Sequence, residues 1–355
     1  MKTNLNYFTN TLMMLFLFIS LSSFAQKKPN VVILATGGTI AGAAGSGVQS
    51  GYTSGQVTID AMVNAVPDVM KLATLKGEQI SNVGSQDMSF EIMLKLAQRI
   101  NELGVAKATD GVVITHGTDT MEETAYFLNL TVKTDMPVVL VGSMRPSTAV
   151  SADGPLNLYN AIAVAADPNA KGRGVLLVMN DWIHSAQTLT KVSTTAVQTF
   201  MSPIRGLIGT TAYGINDFYR YPDQKFGTKS EFDTKGVTKL PRVDIIYGDV
   251  DMPADLIDAS VERGAKGIVI AGVGNGNMTK SALEACARAS KKGVIVVRST
   301  RVATGTVGRN MEVNDDELGL VASYNLNPQK SRVLLSVALL KPRKLDEMQK
   351  IFIDY

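Results

Sequence analysis

Two strand-like runs in this chain end in the same kind of turn, and that repetition restricts the fold more than anything else in it. Val31-Val-Ile-Leu-Ala-Thr36 is an apolar run that passes straight into Gly37-Gly38-Thr39-Ile-Ala-Gly42. Gly111-Val-Val-Ile-Thr115 passes in the same way into His116-Gly117-Thr118-Asp119-Thr120. Two buried strands, each delivering a threonine beside glycine, predict one site at the carboxyl edge of a parallel sheet. Threonine hydroxyls there can attack an acyl carbon, and glycines admit a substrate close to backbone N–H groups.

The rest of the chain carries the same alternation. Short apolar runs at 31–35, 111–115, 137–141, 174–179, 243–247, 267–271 and 294–297 read as strands. Between them Phe90, Met93, Leu94, Ala97 and Ile100 recur at helical spacing, with Gly104 as the expected stop. Asn327-Pro328 reads as a cap followed by a first-turn proline, opening a helix through 333–340. The expected fold is α/β: a larger N-terminal domain with a mainly parallel, flavodoxin-like sheet, and a smaller α/β C-terminal domain. Residues 214–242 are aromatic, charged and aperiodic, and are read as a linker between domains at 28–213 and 243–355. Ala43–Gly55, rich in Gly, Ser and Thr, is expected to be a mobile loop that could act as a lid over the first motif.

Residues 1–25 have the form of a secretory signal peptide. Lys2 precedes a short apolar core, Leu12–Leu21, and Ser23-Phe24-Ala25 has the small-x-small pattern of a cleavage site before Gln26. The expected location is therefore periplasmic or secreted, without stable membrane association. The formal net charge of +3 becomes +2 without Lys2, too little to imply a nucleic-acid partner. Cys286, the single cysteine, reads as a small apolar residue packed on an amphipathic helix.

Several constellations admit more than one use. Thr36-Gly-Gly-Thr39 is either a strand-to-helix turn with a capping threonine or a pair of placed hydroxyls, and nothing in it separates the two threonines. It lacks the spacing of a dinucleotide fingerprint or a Walker loop. Thr120-x-x-Glu123 reads as a capping box, which leaves Thr118 and Asp119 redundant for capping and open to a chemical role. His116 and His184 are the only histidines and lie far apart, so no metal cluster and no cofactor are expected. No G-x-S-x-G elbow is present either. An acyl-transfer site would then need another base, such as a lysine held neutral. Lys191, in the hydroxyl-rich Thr188-Leu-Thr-Lys191-Val-Ser-Thr-Thr, is either that base or a surface lysine. Gly84-Ser85-Gln86-Asp87-Met88, between a candidate strand and the 89–103 helix, is either a plain turn or a cradle for a small polar ligand. Gly272-Val-Gly-Asn-Gly-Asn277 carries the same ambiguity.

Taken together these segments resemble the bacterial L-asparaginases, specifically the exported type II branch with the related glutaminase-asparaginases. The resemblance runs from Asn30 to Tyr355. It rests on Ala35-Thr-Gly-Gly-Thr-Ile-Ala-Gly42, Gly84-Ser-Gln-Asp-Met88 and Thr115-His-Gly-Thr-Asp-Thr-Met-Glu-Glu-Thr-Ala-Tyr-Phe-Leu128. Met144-Arg-Pro-Ser, Ser151-Ala-Asp-Gly-Pro-Leu-Asn-Leu-Tyr-Asn160, Gly272–Asn277 and Leu326-Asn-Pro-Gln-Lys330 follow in order. The resemblance implies that Thr39 is the primary nucleophile and that Tyr52 closes over the substrate to assist it. It implies that Thr118 and Lys191 form a proton relay with Asp119. Ser85 and Gln86 would bind the amino-acid end of the substrate, with Asp119 taking its ammonium, and Gly38, Gly117 and Ser143 would complete the contacts. Asn277 and Glu312 match residues that a neighbouring subunit contributes, in a homotetramer built as a dimer of dimers.

The implied reaction is hydrolysis of L-asparagine to L-aspartate and ammonia, with L-glutamine as a poorer substrate. A dual glutaminase-asparaginase is the alternative, since Ser143 is more familiar in that group while Ser85-Gln86 suits the asparaginase-preferring branch. A periplasmic amino-acid-binding protein without turnover is a further reading, which the pair of threonines and the lysine disfavour. Attack by threonine and direct attack by water both remain open.

Overall fold

A computed structural model describes residues 27–44, 46, 52–53, 55 and 57–355. The expected signal peptide, residues 1–25, lies outside the described residues. So does most of the expected lid. Its ends are described as strands: β1 is Asn30–Gly37, and the short β2 (Ala43–Ala44) and β3 (Tyr52–Thr53) pair antiparallel, with Ala44 opposite Tyr52.

The remaining strands of the first unit are β4 (Thr74–Val83), β5 (Gly111–Thr115), β6 (Val138–Val141), β7 (Val175–Met179), β8 (Trp182–Ser185), β9 (Thr190–Lys191), β10 (Phe200–Met201), β11 (Gly209–Ala212) and β12 (Ile215–Phe218). Among the described residues, seven of them join β1 in one eight-stranded sheet of order β12-β11-β8-β7-β6-β5-β1-β4. The β4-β1-β5-β6-β7 portion is parallel and the β8, β11 and β12 edge antiparallel. The apolar runs are unbroken because the central strands are covered on both faces. Val32, Leu34, Val112 and Ile114 face a core shared with the Phe90–Ala106 and Met121–Thr131 helices. Val31, Ile33 and Val113 face the opposite core, with the Gly154–Ala166 helix.

The second unit has a parallel sheet of β13 (Val243–Tyr247), β14 (Gly267–Gly272), β15 (Ile295–Thr300) and β16 (Leu320–Ala322), in that order. Cys286 is buried there in the Lys280–Lys291 helix, as its setting in the sequence suggests. The Pro328–Ala338 helix begins as expected: the Asn327 side chain accepts from the Lys330 N–H, and Pro328 occupies the first turn. This helix closes the core of the first unit, because Val333, Leu334 and Leu335 share one apolar cluster with Leu128 and Leu130.

Two local expectations need correction. Gly104 does not stop its helix, which continues to Ala106 and ends where Lys107 turns left-handed at φ 51°. A Cβ at Gly104 would lie 3.0 Å from the Thr134 side chain, so the glycine serves helix-to-loop packing instead. Residues 215–218, inside the segment read as linker, form the edge strand β12 and hydrogen-bond to β11. The strand expected before Gly84 is β4, and its Thr74-Leu-Lys-Gly-Glu-Gln start is that of a polar edge.

One ion pair organises the loops of the second unit. Arg298, on β15, and Asp315 are both fully buried and joined twice, at 2.6 and 2.7 Å. The guanidinium also donates to the carbonyls of Asn275 (2.9 Å) and Gly308 (3.0 Å), and Asp315 accepts from the Asn310 N–H at 2.8 Å. The Val273–Asn277 turn and the 308–315 loop are thereby fixed to the same strand. Arg298→Met leaves a carboxylate buried without its partner and is expected to cost about 3–5 kcal/mol. Urea unfolding measures this; a loss under about 1 kcal/mol would mean that the loops are held by other contacts.

Candidate active site

The two glycine turns meet at the carboxyl ends of β1 and β5, which are neighbours with Ala35 opposite Thr115. Gly37 and Gly38 have φ of 109° and 81°, a region that favours glycine. A Cβ on Gly38 would stand 2.2 Å from the Gly117 nitrogen, so only glycine allows the two main chains to approach this closely. Thr39 and Thr118 each follow that contact by one residue, and both are buried. Thr39 opens a single 3₁₀ turn, Thr39–Ala41. The two threonines of the first motif, equivalent in sequence, now separate. Thr36 donates its hydroxyl to the Thr115 carbonyl at 2.8 Å and stitches the strands, whereas Thr39 sits past the contact.

Strand β4 delivers the third component. It ends at Val83, whose carbonyl accepts from the Gly38 N–H at 3.1 Å, and Ser85–Asp87 form a 3₁₀ turn immediately after. Ser85 is buried against the second glycine turn: a Cβ on Gly117 would lie 2.6 Å from its Oγ. The Asp119 N–H donates to Ser85 Oγ (3.1 Å), and Thr120 donates its hydroxyl to the Ser85 carbonyl (2.7 Å). The capping box expected of Thr120 and Glu123 is therefore absent from the Thr120 side, although the helix does start at Met121. That hydroxyl is spent on joining the Ser85 turn to the Thr118 turn. Thr120 is the contributor that the sequence reading missed, because the spacing to Glu123 offered a complete local use for it.

Lys191 is not a surface lysine. Its side chain is 17% exposed, and its ammonium donates to Thr118 Oγ1 (2.9 Å) and Asp119 Oδ1 (2.7 Å). Antiparallel pairing of β9 with β10, Lys191 opposite Phe200, presents it from outside the main sheet. Asp119 is by contrast exposed, its side chain 59% accessible, so its carboxylate is open to a ligand while it holds the lysine.

His116 sits behind the turn. Its ring contacts the Gly117 carbonyl (2.6 Å) and Thr124 Oγ1 (2.9 Å), and full burial pushes its pKa down to about 4. A neutral imidazole is thus part of the support for the Gly117 turn. Gly142 closes the floor, since a Cβ there would meet the His116 carbonyl at 2.7 Å.

Gly38, Thr39, Ser85, Gly117, Thr118, Asp119 and Lys191 are accordingly brought into one place. Gln86 lies on the same turn as Ser85, exposed, with its amide 3.2 Å from Asp87 Oδ2. Ser143 is buried and donates to the Arg145 carbonyl at 2.8 Å, in the turn following β6. Asn277 and Glu312 bond to each other in the second unit rather than to this group. Of Tyr52 only the backbone, in β3, is described.

Gly38→Ala should destabilise the fold by about 2 kcal/mol or more, from left-handed strain together with the clash on Gly117. Thermal or urea unfolding reads this directly; an unchanged midpoint would show that the turns can separate without cost.

Comparison with known proteins finds matches over both parts of the chain. The family model described as "Asparaginase, N-terminal" matches residues 30–224, and that described as "Glutaminase/Asparaginase C-terminal domain" matches residues 242–352. A probable periplasmic L-asparaginase of Haemophilus influenzae is 52% identical, covering 93% of this chain and 94% of its own length. L-asparaginase 2 of Escherichia coli is 50% identical, with 96% and 97% covered. A glutaminase-asparaginase of Pseudomonas fluorescens is 45% identical, with 93% and 91% covered. Among solved structures, a probable cytoplasmic L-asparaginase from Campylobacter jejuni superposes with a TM-score of 0.90 at 46% identity, covering 92% of this chain and all of that one.

Proposed function

This chain belongs to the asparaginase/glutaminase family, and from that premise we propose that it hydrolyses L-asparagine to L-aspartate and ammonia, and L-glutamine more slowly. The observation that carries the reading is Lys191 Nζ, bonded at once to the Thr118 hydroxyl and the Asp119 carboxylate. Simple capture of an amino acid needs no lysine behind a buried hydroxyl, whereas amide hydrolysis needs a path for a proton.

Thr39 attacks the side-chain amide carbon as the nucleophile. Its proton passes by way of the Thr118 hydroxyl to the Lys191 amine and on to the leaving nitrogen, which departs as ammonia and leaves a β-aspartyl ester on Thr39. Water then cleaves the ester, restoring the threonine hydroxyl and releasing aspartate. Tyr52 assists Thr39 from the loop that covers the site. Asp119 receives the substrate ammonium and the Ser85-Gln86 turn its α-carboxylate, while Gly38 and Gly117 admit the substrate to the backbone and Ser143 shapes the floor. The same pair of positions, Asn277 and Glu312, completes a site of a second copy in a homotetramer. After removal of residues 1–25 the enzyme acts in the periplasm or outside the cell. The name of the Haemophilus relative supports that location.

Thr39→Ala should abolish turnover while asparagine still binds, and Thr118→Val and Lys191→Met should each lower kcat by about two orders of magnitude or more without unfolding the chain. Ammonia release from asparagine and glutamine, followed side by side, decides the reading. Near-normal kcat in Thr39→Ala removes it from the nucleophile's role, no release by folded wild-type protein rejects an enzyme altogether, and equal efficiencies favour a dual-specificity enzyme.

A further inference from the structure

Behind the Thr118–Lys191 contact lies a second lysine that the reaction itself does not use. Lys330, in the first turn of the Pro328–Ala338 helix, is buried, with 3% of its side chain exposed. Its ammonium donates to the carbonyl of Gln187 at 2.9 Å and to that of Leu189, and lies 3.8 Å from the Glu122 carboxylate. Leu189 is two residues before Lys191, and Glu122 is three residues after Asp119. A single buried charge therefore touches both segments whose side chains meet in the site.

Glu122 is itself held from the second unit. It accepts from Gln329 Nε2 at 2.6 Å and from Asn327 Nδ2 at 3.2 Å, so the whole start of the Pro328–Ala338 helix converges on it. The carboxylate also stands in the first turn of the Met121–Thr131 helix, at its positive end. Burial pulls the Lys330 ammonium down to about 8, with Glu122 opposing that pull.

Buried ion pairs are an expensive means of stabilising a core, since apolar residues of similar volume usually do as well or better. What such a pair supplies is fixed direction: carbonyls and a carboxylate held at hydrogen-bond distance from one point. We infer that Lys330 is a positioning residue for amide hydrolysis, its buried ammonium holding the 187–191 segment against the Thr118–Glu122 turn so that Lys191 stays in register with Thr118. The inference rests on the role given to Lys191 above.

The test is Lys330→Met combined with Glu122→Gln, which removes the charge pair together and leaves no lone buried ion. In full-length protein whose circular dichroism, melting midpoint and oligomeric state match the wild type, kcat for asparagine is expected to fall about tenfold to a hundredfold. KM should change by less than about threefold, because the Ser85 turn is untouched. The pH profile of kcat should shift as well, since Lys191 loses its fixed neighbours. Gln329→Ala, at a half-buried position, should show the same split on a smaller scale and serves if the double variant does not fold. Normal kcat with an unshifted pH profile in either folded variant overturns the inference. A harmless Lys191→Met would instead remove the relay itself, so the two failures are told apart.

Discussion

The closeness of two main chains, at Gly38 and Gly117, is the constraint on which the rest of the site depends. No side chain larger than hydrogen fits between them, and the separation of Thr39 from Thr118 is set by this backbone contact. Topology explains why it falls where it does. The strand order β5-β1-β4 means that the chain leaves β1 toward one side to make β4 and returns on the other side as β5. The reversal opens a crevice at the carboxyl ends, where ligands of parallel α/β sheets gather. Three successive main-sheet strands thus end at one spot: β1 with Thr39, β4 with Ser85 and β5 with Thr118.

Lys191 comes from elsewhere, and this divides the site into a part made by sheet geometry and a part made by packing. The glycine turns need only strand register. The lysine sits on a short strand outside the main sheet, and its placement depends on how the 187–191 segment is held. The helix that reaches it belongs to the second unit, so the two units share more than a covalent link. Their common apolar cluster joins Leu128 and Leu130 to Leu334 and Leu335. Within the second unit, Arg298 performs for the loops of Asn277 and Glu312 what strand pairing performs for the glycine turns.

Much of this was legible in the sequence where burial is two-sided, since β1, β5, β6, β7, β14 and the first part of β15 read as uninterrupted apolar runs. The parallel α/β character in two unequal parts followed from their spacing. Strands exposed on one face or lying at an edge are harder to read: β4, half charged and polar, shows only as a strand without bounds before Gly84, β16 has three residues, and β12 lies in a stretch that looks aperiodic. Local signals misled where a long-range contact used the same atoms. Gly104 looked like a helix stop but makes room for Thr134, and Thr120 looked like a cap but binds Ser85. For Lys191, the number of neighbouring hydroxyls was informative and its burial was not, because the contact with Thr118 spans 73 residues.

The single cysteine has a use of another kind. Cys286 is enclosed in the helix of the second unit, its Sγ 3.6 Å from Met278 Sδ, and burial pushes the thiol up to about 12. A surface thiol with a pKa near 8.5 has a thiolate fraction at neutral pH larger by about three orders of magnitude. The native chain is thus a nearly silent background for thiol chemistry. A reporter group attached through one engineered surface cysteine would mark that position alone, and motions of any chosen segment could be followed without first removing a native residue.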